Sequence, residues 1–122
     1  MSNDETHADS TRPSVLSLNI RETGALYAAY ISQLRYGGIF IPTNRQYHLG
    51  EDVFMLISLP DEPDKLPMMG KVVWITPEGA QGKKVQGIGV QFGGDEAGQS
   101  VKRKIEVILS RASDGDKGTH TI

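Results

Sequence analysis

Apolar and polar positions alternate over several short stretches of this chain. In Val15–Ile20, Leu16, Leu18 and Ile20 share one side and Ser17 and Asn19 the other. That period of two marks a half-buried strand. Asp52–Leu59 is the clearest strand: Val53, Met55, Ile57 and Leu59 lie on one side, Phe54, Leu56 and Ser58 on the other. A strand apolar on both sides predicts a central place in a sheet. Gly37-Gly38 opens the short run Ile39-Phe40-Ile41, and Pro42 stops it, because proline cannot donate to a ladder. Met69–Thr76 and Val85–Phe92 predict two more strands. In the second, Ile88, Val90 and Phe92 alternate with Gly87, Gly89 and Gln91, and glycines on one face predict a close neighbour or a barrel bend. Leu26–Ile31 suits a strand by length and a helical turn by its alanines.

Polar connections separate these runs. Arg21–Gly24 is turn-like, Thr43–Gly50 ends in a Leu49-Gly50 turn, and Pro60–Pro67 and Pro77–Lys84 read as loops. One long helix is predicted, from about Glu96 to Ala112. There Val101, Ile105, Ile108, Leu109 and Ala112 recur at spacings of three and four. Asp95 and Glu96 stand at its start, where the helix dipole favours acids. The fold class is mainly β: a small six-stranded antiparallel β-barrel with a C-terminal α-helix. Trp74 and Phe92 are expected in the core or under the helix. Residues 14–112 form the domain, between a disordered N-terminal arm (1–13) and a flexible C-terminal tail (113–122).

Composition narrows the chemistry more than the fold. The chain has 122 residues, which suits one domain. It has no cysteine, which excludes disulfide staples, thiolate zinc sites and a cysteine nucleophile. Thirteen basic against fifteen acidic side chains give a net charge of -2, so no global field draws in nucleic acid. The polar start carries no basic, apolar leader, and Val53–Leu59 is far short of the roughly 20 residues that span a bilayer. A cytoplasmic protein is expected.

Several sequences imitate sites and are outweighed by plainer readings. Gly93-Gly94-Asp95-Glu96-Ala97 nearly spells the Gly-Gly-Asp-Glu-Phe signature of diguanylate cyclases, but it reads as a strand-to-helix turn with acids at the helix start. Gly79–Lys84 lacks phosphate-loop spacing. His7, His48 and His120 are scattered, with no pair spaced for a metal. Asp61, Glu62 and Asp64 crowd a proline-rich loop and do not converge as catalytic carboxylates would. No serine has a His–Asp context. Lys102-Arg103-Lys104 reads as a solvated helix face. No catalytic, cofactor or metal site is expected, and the chain is read as a non-enzyme.

Three pieces in order resemble the PilZ domain family: Gly37-Gly38-Ile39-Phe40-Ile41; Leu49-Gly50-Glu51-Asp52-Val53 leading into Leu56–Leu59; and Gly70-Lys71-Val72-Val73-Trp74 followed by Gly87-Ile88-Gly89-Val90-Gln91-Phe92. The resemblance spans about residues 14–110 and implies a PilZ-like split barrel. Leu26-Tyr27-Ala28-Ala29-Tyr30, Gly38–Thr43, Trp74–Pro77, Gly79–Gly82 and Thr119–Ile122 resemble the pilus-assembly branch of that family more closely.

Family members that bind cyclic di-GMP carry Arg-x-x-x-Arg before the barrel and Asp/Asn-x-Ser-x-x-Gly on the next strand. Arginine forks suit phosphates and guanine edges. Here Arg12 and Arg21 are not four apart. Counting back from Gly37 puts Ser32 and Leu34 at the Asp/Asn and Ser places; counting from Gly38 puts Gln33 and Arg35 there. The resemblance therefore implies a non-enzymatic adaptor for type IV pilus biogenesis and twitching motility that does not itself bind cyclic di-GMP. Its implied partners are the pilus extension ATPase (PilB-like) and an EAL-domain cyclic di-GMP receptor (FimX-like). It would act as a monomer, without membrane insertion. The candidate partner-binding residues are Leu26, Tyr27, Tyr30 and Tyr36, near the start of the barrel, and the tail Thr119, His120, Thr121 and Ile122. Tyrosine is an enriched interface anchor, although these side chains could equally pad the core. The alternative is a direct cyclic di-GMP sensor with an unconventional site, using Arg12, Arg21 or Arg35.

Overall fold

The period-two stretches form strands, and the strands join into one sheet. The computed structural model describes residues 14–77, 79 and 85–121, with side chains to Ala112. In chain order the elements are β1 (Ser14–Asn19), α1 (Thr23–Ala29), β2 (Tyr30–Ile31), β3 (Gly38–Pro42), β4 (Asp52–Ser58), β5 (Leu66–Thr76), β6 (Gly87–Phe92) and α2 (Glu96–Thr121). The expected arm at 1–13, and the side chains of Thr119, His120, Thr121 and Ile122, lie outside the described residues.

The six strands run in the order β1-β4-β5-β6-β3-β2. Four of the pairings are antiparallel; β1 lies parallel to β4, with Leu16 opposite Met55 and Leu18 opposite Ile57. The sheet is thus mixed, and among the described residues β1 and β2 are free edges, so it does not close. This corrects the expected antiparallel barrel. Alternation reports which face each residue takes but is blind to strand direction. The chain passes through α1, β2 and β3 before β4 returns beside β1. The ambiguous stretch 26–31 is also settled: α1 takes Leu26 to Ala29, and only Tyr30 and Ile31 pair as strand.

One face of the sheet carries the core. The inner face carries Leu16, Val53, Met55, Ile57, Met68, Val72, Ile88, Val90, Phe92, Ile39 and Ile41, all buried. Val101 and Ile105 of α2 and Leu26 of α1 complete this core. β4 lies inside the sheet between β1 and β5, with Val53, Met55 and Ile57 in the core and Phe54 and Leu56 on the other face. The helix begins where its capping residue sits: Asp95 Oδ1 accepts the backbone N–H of Gly98 at 3.1 Å, and the Asp95 carbonyl accepts that of Gln99 at 3.0 Å. This satisfies two amides at the helix start. The Gly93–Ala97 sequence is therefore the turn from β6 into α2.

Two tyrosines fasten α2 to the connection between β2 and β3. The Tyr30 ring stacks on Phe92 at 6.5 Å between centroids, and its hydroxyl donates to Glu106 Oε2 at 2.7 Å. Lys102 Nζ lies 2.9 Å from the same oxygen. The Lys102 ammonium, then the Tyr30 hydroxyl, hold the Glu106 carboxyl below its ordinary 4.5. Burial, reinforced by Glu106, pushes the Tyr30 phenol up, so the proton stays on the tyrosine. Tyr36 is half-buried, and its backbone carbonyl accepts from Gln99 Nε2 at 3.2 Å. Directly after Tyr36, Gly37 turns the chain at φ +78°, a value favouring glycine.

Two measurements test this packing. Phe92→Ala removes a buried ring at the junction of β6, Tyr30 and the helix, and should cost roughly 3–5 kcal/mol in urea unfolding. Tyr30→Phe keeps the stacked ring and loses only the hydroxyl, for about 1 kcal/mol at neutral pH. Because folding lowers the Glu106 pKa, the stabilisation that carboxylate provides is present above 4.5 and is lost as pH falls through the folded value. The stability gap between Tyr30→Phe and the unaltered chain should therefore narrow under acid.

Candidate functional site

The outer face of the sheet is covered by no described element, and its middle is apolar. Strand register places Val15 beside Phe54 and Ser17 beside Leu56 across β1 and β4. Phe54 lies opposite Met69 on β5, Trp74 opposite Gly89 on β6, and Gly89 opposite Phe40 on β3. Val15 is 60% exposed and Trp74 52%, and Phe54, Leu56 and Phe40 are each partly exposed. A Cβ on Gly89 would stand 3.0 Å from Trp74 Cβ, and one on Gly87 would meet the Phe40 ring and the Ile41 carbonyl. The glycines of β6 thus make room for the aromatic side chains of its two neighbours. Trp74 is oriented by its own N–H, which donates to Thr76 Oγ1 at 2.9 Å.

This position corrects the expectation that Trp74 is core. Strict alternation from the buried Val72 sends Trp74 inward. The register between β5 and β6 instead shifts at Val72/Trp74, so Val73 is an extra residue. A bulge of one residue reverses the face of the next positions in the strand, and Trp74 emerges outside. Phe92 keeps the buried place expected of it.

The candidate tyrosine region divides. Leu26 is fully buried and joins the core, so it is corrected from a surface contact to the residue that seats α1. Tyr27 is 76% exposed. It projects from α1 on the helix side of the sheet, away from the Trp74 face. Tyr30 and Tyr36 serve mainly to dock α2. No signal in the sequence separated these roles except order: in an α-helix, neighbours point about 100° apart, so a buried Leu26 turns Tyr27 away. Sequence reasoning also passed over Val15, Phe40, Phe54, Leu56 and Met69 as a joint surface. Their parity within each strand was visible, but the pairings that assemble them were not.

The cationic groups stand apart. Arg21 and Arg35 are exposed, and Arg35 lies over the Tyr36 ring, 5.2 Å from its centroid. Arg45 lies 5.6 Å from the Tyr47 ring centroid. Cavities of about 460, 490 and 260 Å³ open beside α2, beneath the Thr43–Tyr47 connection, and between β1 and β3; none of these three is lined by Arg21 or Arg35. On α2, Arg103 pairs with Glu96 at 2.9 Å and Lys104 with Glu62 at 3.6 Å. The basic run is a neutralised, solvated face. Among the described residues no three of His, Cys, Asp and Glu come together to hold a metal, and no helix is long and apolar enough to cross a membrane. The arrangement is suited to binding through apolar area.

No curated protein matches the chain. A family model, that of the PilZ domain, matches residues 10–110. PilZ domains are in general binding domains associated with cyclic di-GMP signalling, and no enzyme family is indicated. The match covers β1 to β6 and most of the packed part of α2, with the Gly37–Pro42, Asp52–Ser58 and Gly87–Phe92 stretches falling inside it. The chain belongs to the PilZ domain family.

Proposed function

We propose that this PilZ domain is an adaptor of type IV pilus biogenesis and twitching motility. It links the pilus extension ATPase to an EAL-domain receptor that binds the cyclic di-GMP. One observation carries this reading: the described residues hold two separate exposed aromatic surfaces and no cluster of arginines to clasp a dinucleotide. Trp74 centres an apolar face on one side of the sheet, and Tyr27 stands on α1 on the other. Tryptophan and tyrosine are the residue types that most often anchor interfaces. Two faces on opposite layers can be occupied together, and a bridge of that kind raises the local concentration of one partner near the other.

In this scheme Tyr27 meets the ATPase, with the tail from Thr119 to Ile122 as its second contact. The Trp74 face meets the receptor. Burying Trp74, Val15 and Phe54 removes apolar area from water, at about 25 cal/mol per Å² before the costs of association. The resemblance to the pilus-assembly branch supports the partner identities, and the departures at residues 32–38 support a domain that leaves the nucleotide to the receptor.

The surfaces are separable by mutation. Tyr27→Ala should weaken capture of the ATPase by about tenfold or more and leave receptor capture intact; Trp74→Ala should do the reverse. Equal capture of the ATPase by a folded Tyr27→Ala protein removes Tyr27 as the anchor. Titration calorimetry of the isolated protein with cyclic di-GMP should give no heat of binding. Micromolar binding that is abolished by Arg21→Ala or Arg35→Ala would instead favour the direct-sensor alternative.

A further inference from the structure

At one margin of the sheet β3 and β5 end and β6 begins. Pro42 stands opposite Gly87 there, and Gly87 opposite Thr76. The connection after β3 is pinned to the same margin, because Thr43 N–H donates to the Gln86 carbonyl at 3.2 Å. The cavity of about 490 Å³ opens beneath this connection, bounded on its far side by Ile75–Pro77 and Gln86–Ile88. That volume suits a small ligand. The cavity of about 260 Å³ beside β1 shares Thr43, Arg45 and Tyr47 as lining, so these three residues stand between the two spaces. Neither Trp74 nor Tyr27 lines either one.

The polar side chains lining the larger cavity are biased toward donation. Tyr47 is only 7% exposed, and its buried hydroxyl has no hydrogen-bond partner. A buried O–H left unpaired is costly, so it calls for a partner that the fold itself does not supply. Thr43 Oγ1 already accepts the Arg45 backbone N–H at 3.1 Å, and Thr76 Oγ1 accepts the Trp74 indole N–H at 2.9 Å. Each threonine therefore keeps its own hydroxyl hydrogen to give. Arg45 lies over the Tyr47 ring and, among the described residues, forms no ion pair, whereas Lys102, Arg103 and Lys104 on α2 each have a carboxylate. No Asp or Glu lines either cavity. We infer that this pocket binds the oxyanion of a small ligand, a carboxylate or a phosphate. The planar fork of Arg45 fits either group and stays charged at any working pH. The Tyr47, Thr43 and Thr76 hydroxyls supply donors for the remaining oxygen lone pairs. Ile75, Pro77 and Ile88 give a short carbon stem an apolar wall. A buried water is the competing partner for the phenol.

Titration of the full chain at constant ionic strength tests the site. Succinate and inorganic phosphate are the probes for the two groups, with sodium chloride as the control for screening. At least one probe should shift the backbone amide resonances of Arg45, Tyr47, Gly87 and Ile88 saturably, with a dissociation constant of ~1 mM or tighter. The tighter of the two identifies the group. Arg45→Gln should weaken that binding at least about tenfold. Tyr47→Phe should weaken it about threefold or more. Without a probe, Tyr47→Phe should melt no lower than the unaltered chain, since it removes only an unpaired hydroxyl. Arg103→Gln takes an equal charge from α2 and should leave binding unchanged. The absence of a saturable shift with either probe up to ~20 mM overturns the proposal. So does equally tight binding by Arg45→Gln. A Tyr47→Phe protein that binds as tightly as the unaltered chain but melts lower assigns the phenol to a buried water and overturns its part in the site.

Discussion

The structure depends on how closely chains can approach β6. Its inner residues, Ile88, Val90 and Phe92, are buried in the core, while on its outer side Gly87 and Gly89 offer no Cβ. That asymmetry lets β3 and β5 bring Phe40 and Trp74 in over the strand from either side. Larger residues at 87 or 89 would force the neighbouring rings or strands away, disturbing the ladder and the core beneath it together. At its end, Phe92 supports Tyr30, and Tyr30 holds the C-terminal helix through Glu106. One strand therefore ties the core, the outer aromatic surface and the helix into a single unit.

Much of this could be read from residues alone. The alternation in Val15–Ile20 and Ile88–Phe92, and the two-sided apolar run at 52–59, located three strands and the core faces of each. Asp95 and the three-and-four spacing of Val101, Ile105 and Ile108 located the helix and its first turn. What escaped was information that resides between segments. Parallel pairing of β1 with β4 leaves no mark in either sequence, because both directions present the same alternation. The bulge at Val73 has no dedicated residue type, and one unpaired position there reverses Trp74. The tyrosines near the start of the sheet looked alike because their type is amphipathic. Only the positions of Phe92 and Glu106 make Tyr30 a fastener, while Tyr27 remains in water.

A sheet face left apolar needs a way to remain soluble. The two edges of the face differ in this respect. Lys71 and Asp52 pair at 3.1 Å across β4 and β5, and Gln91 stands in the next strand, so one end of the face is ringed by polar groups. On β1, Ser17 and Asn19 share the outer face, and only at Val15, beside Phe54, does the apolar surface reach the sheet margin without such a rim. A polar rim around an apolar centre is the usual anatomy of an interface. An incomplete rim gives the face a direction in which its contact can extend.

The turn after β6 bears on how sequences are interpreted. A Cβ on Gly93 would stand 3.0 Å from Asp95 Oδ1, one on Gly94 would stand 2.9 Å from the Tyr36 ring, and the Gly93 carbonyl accepts Gln99 Nε2 at 3.0 Å. Asp95 must supply an acceptor to the helix start. A crowded corner of this kind selects two glycines and an acid for reasons of space and hydrogen bonding alone. A five-letter string that elsewhere marks a catalyst can thus be reached by architecture, and its chemical meaning is decided by the walls around it.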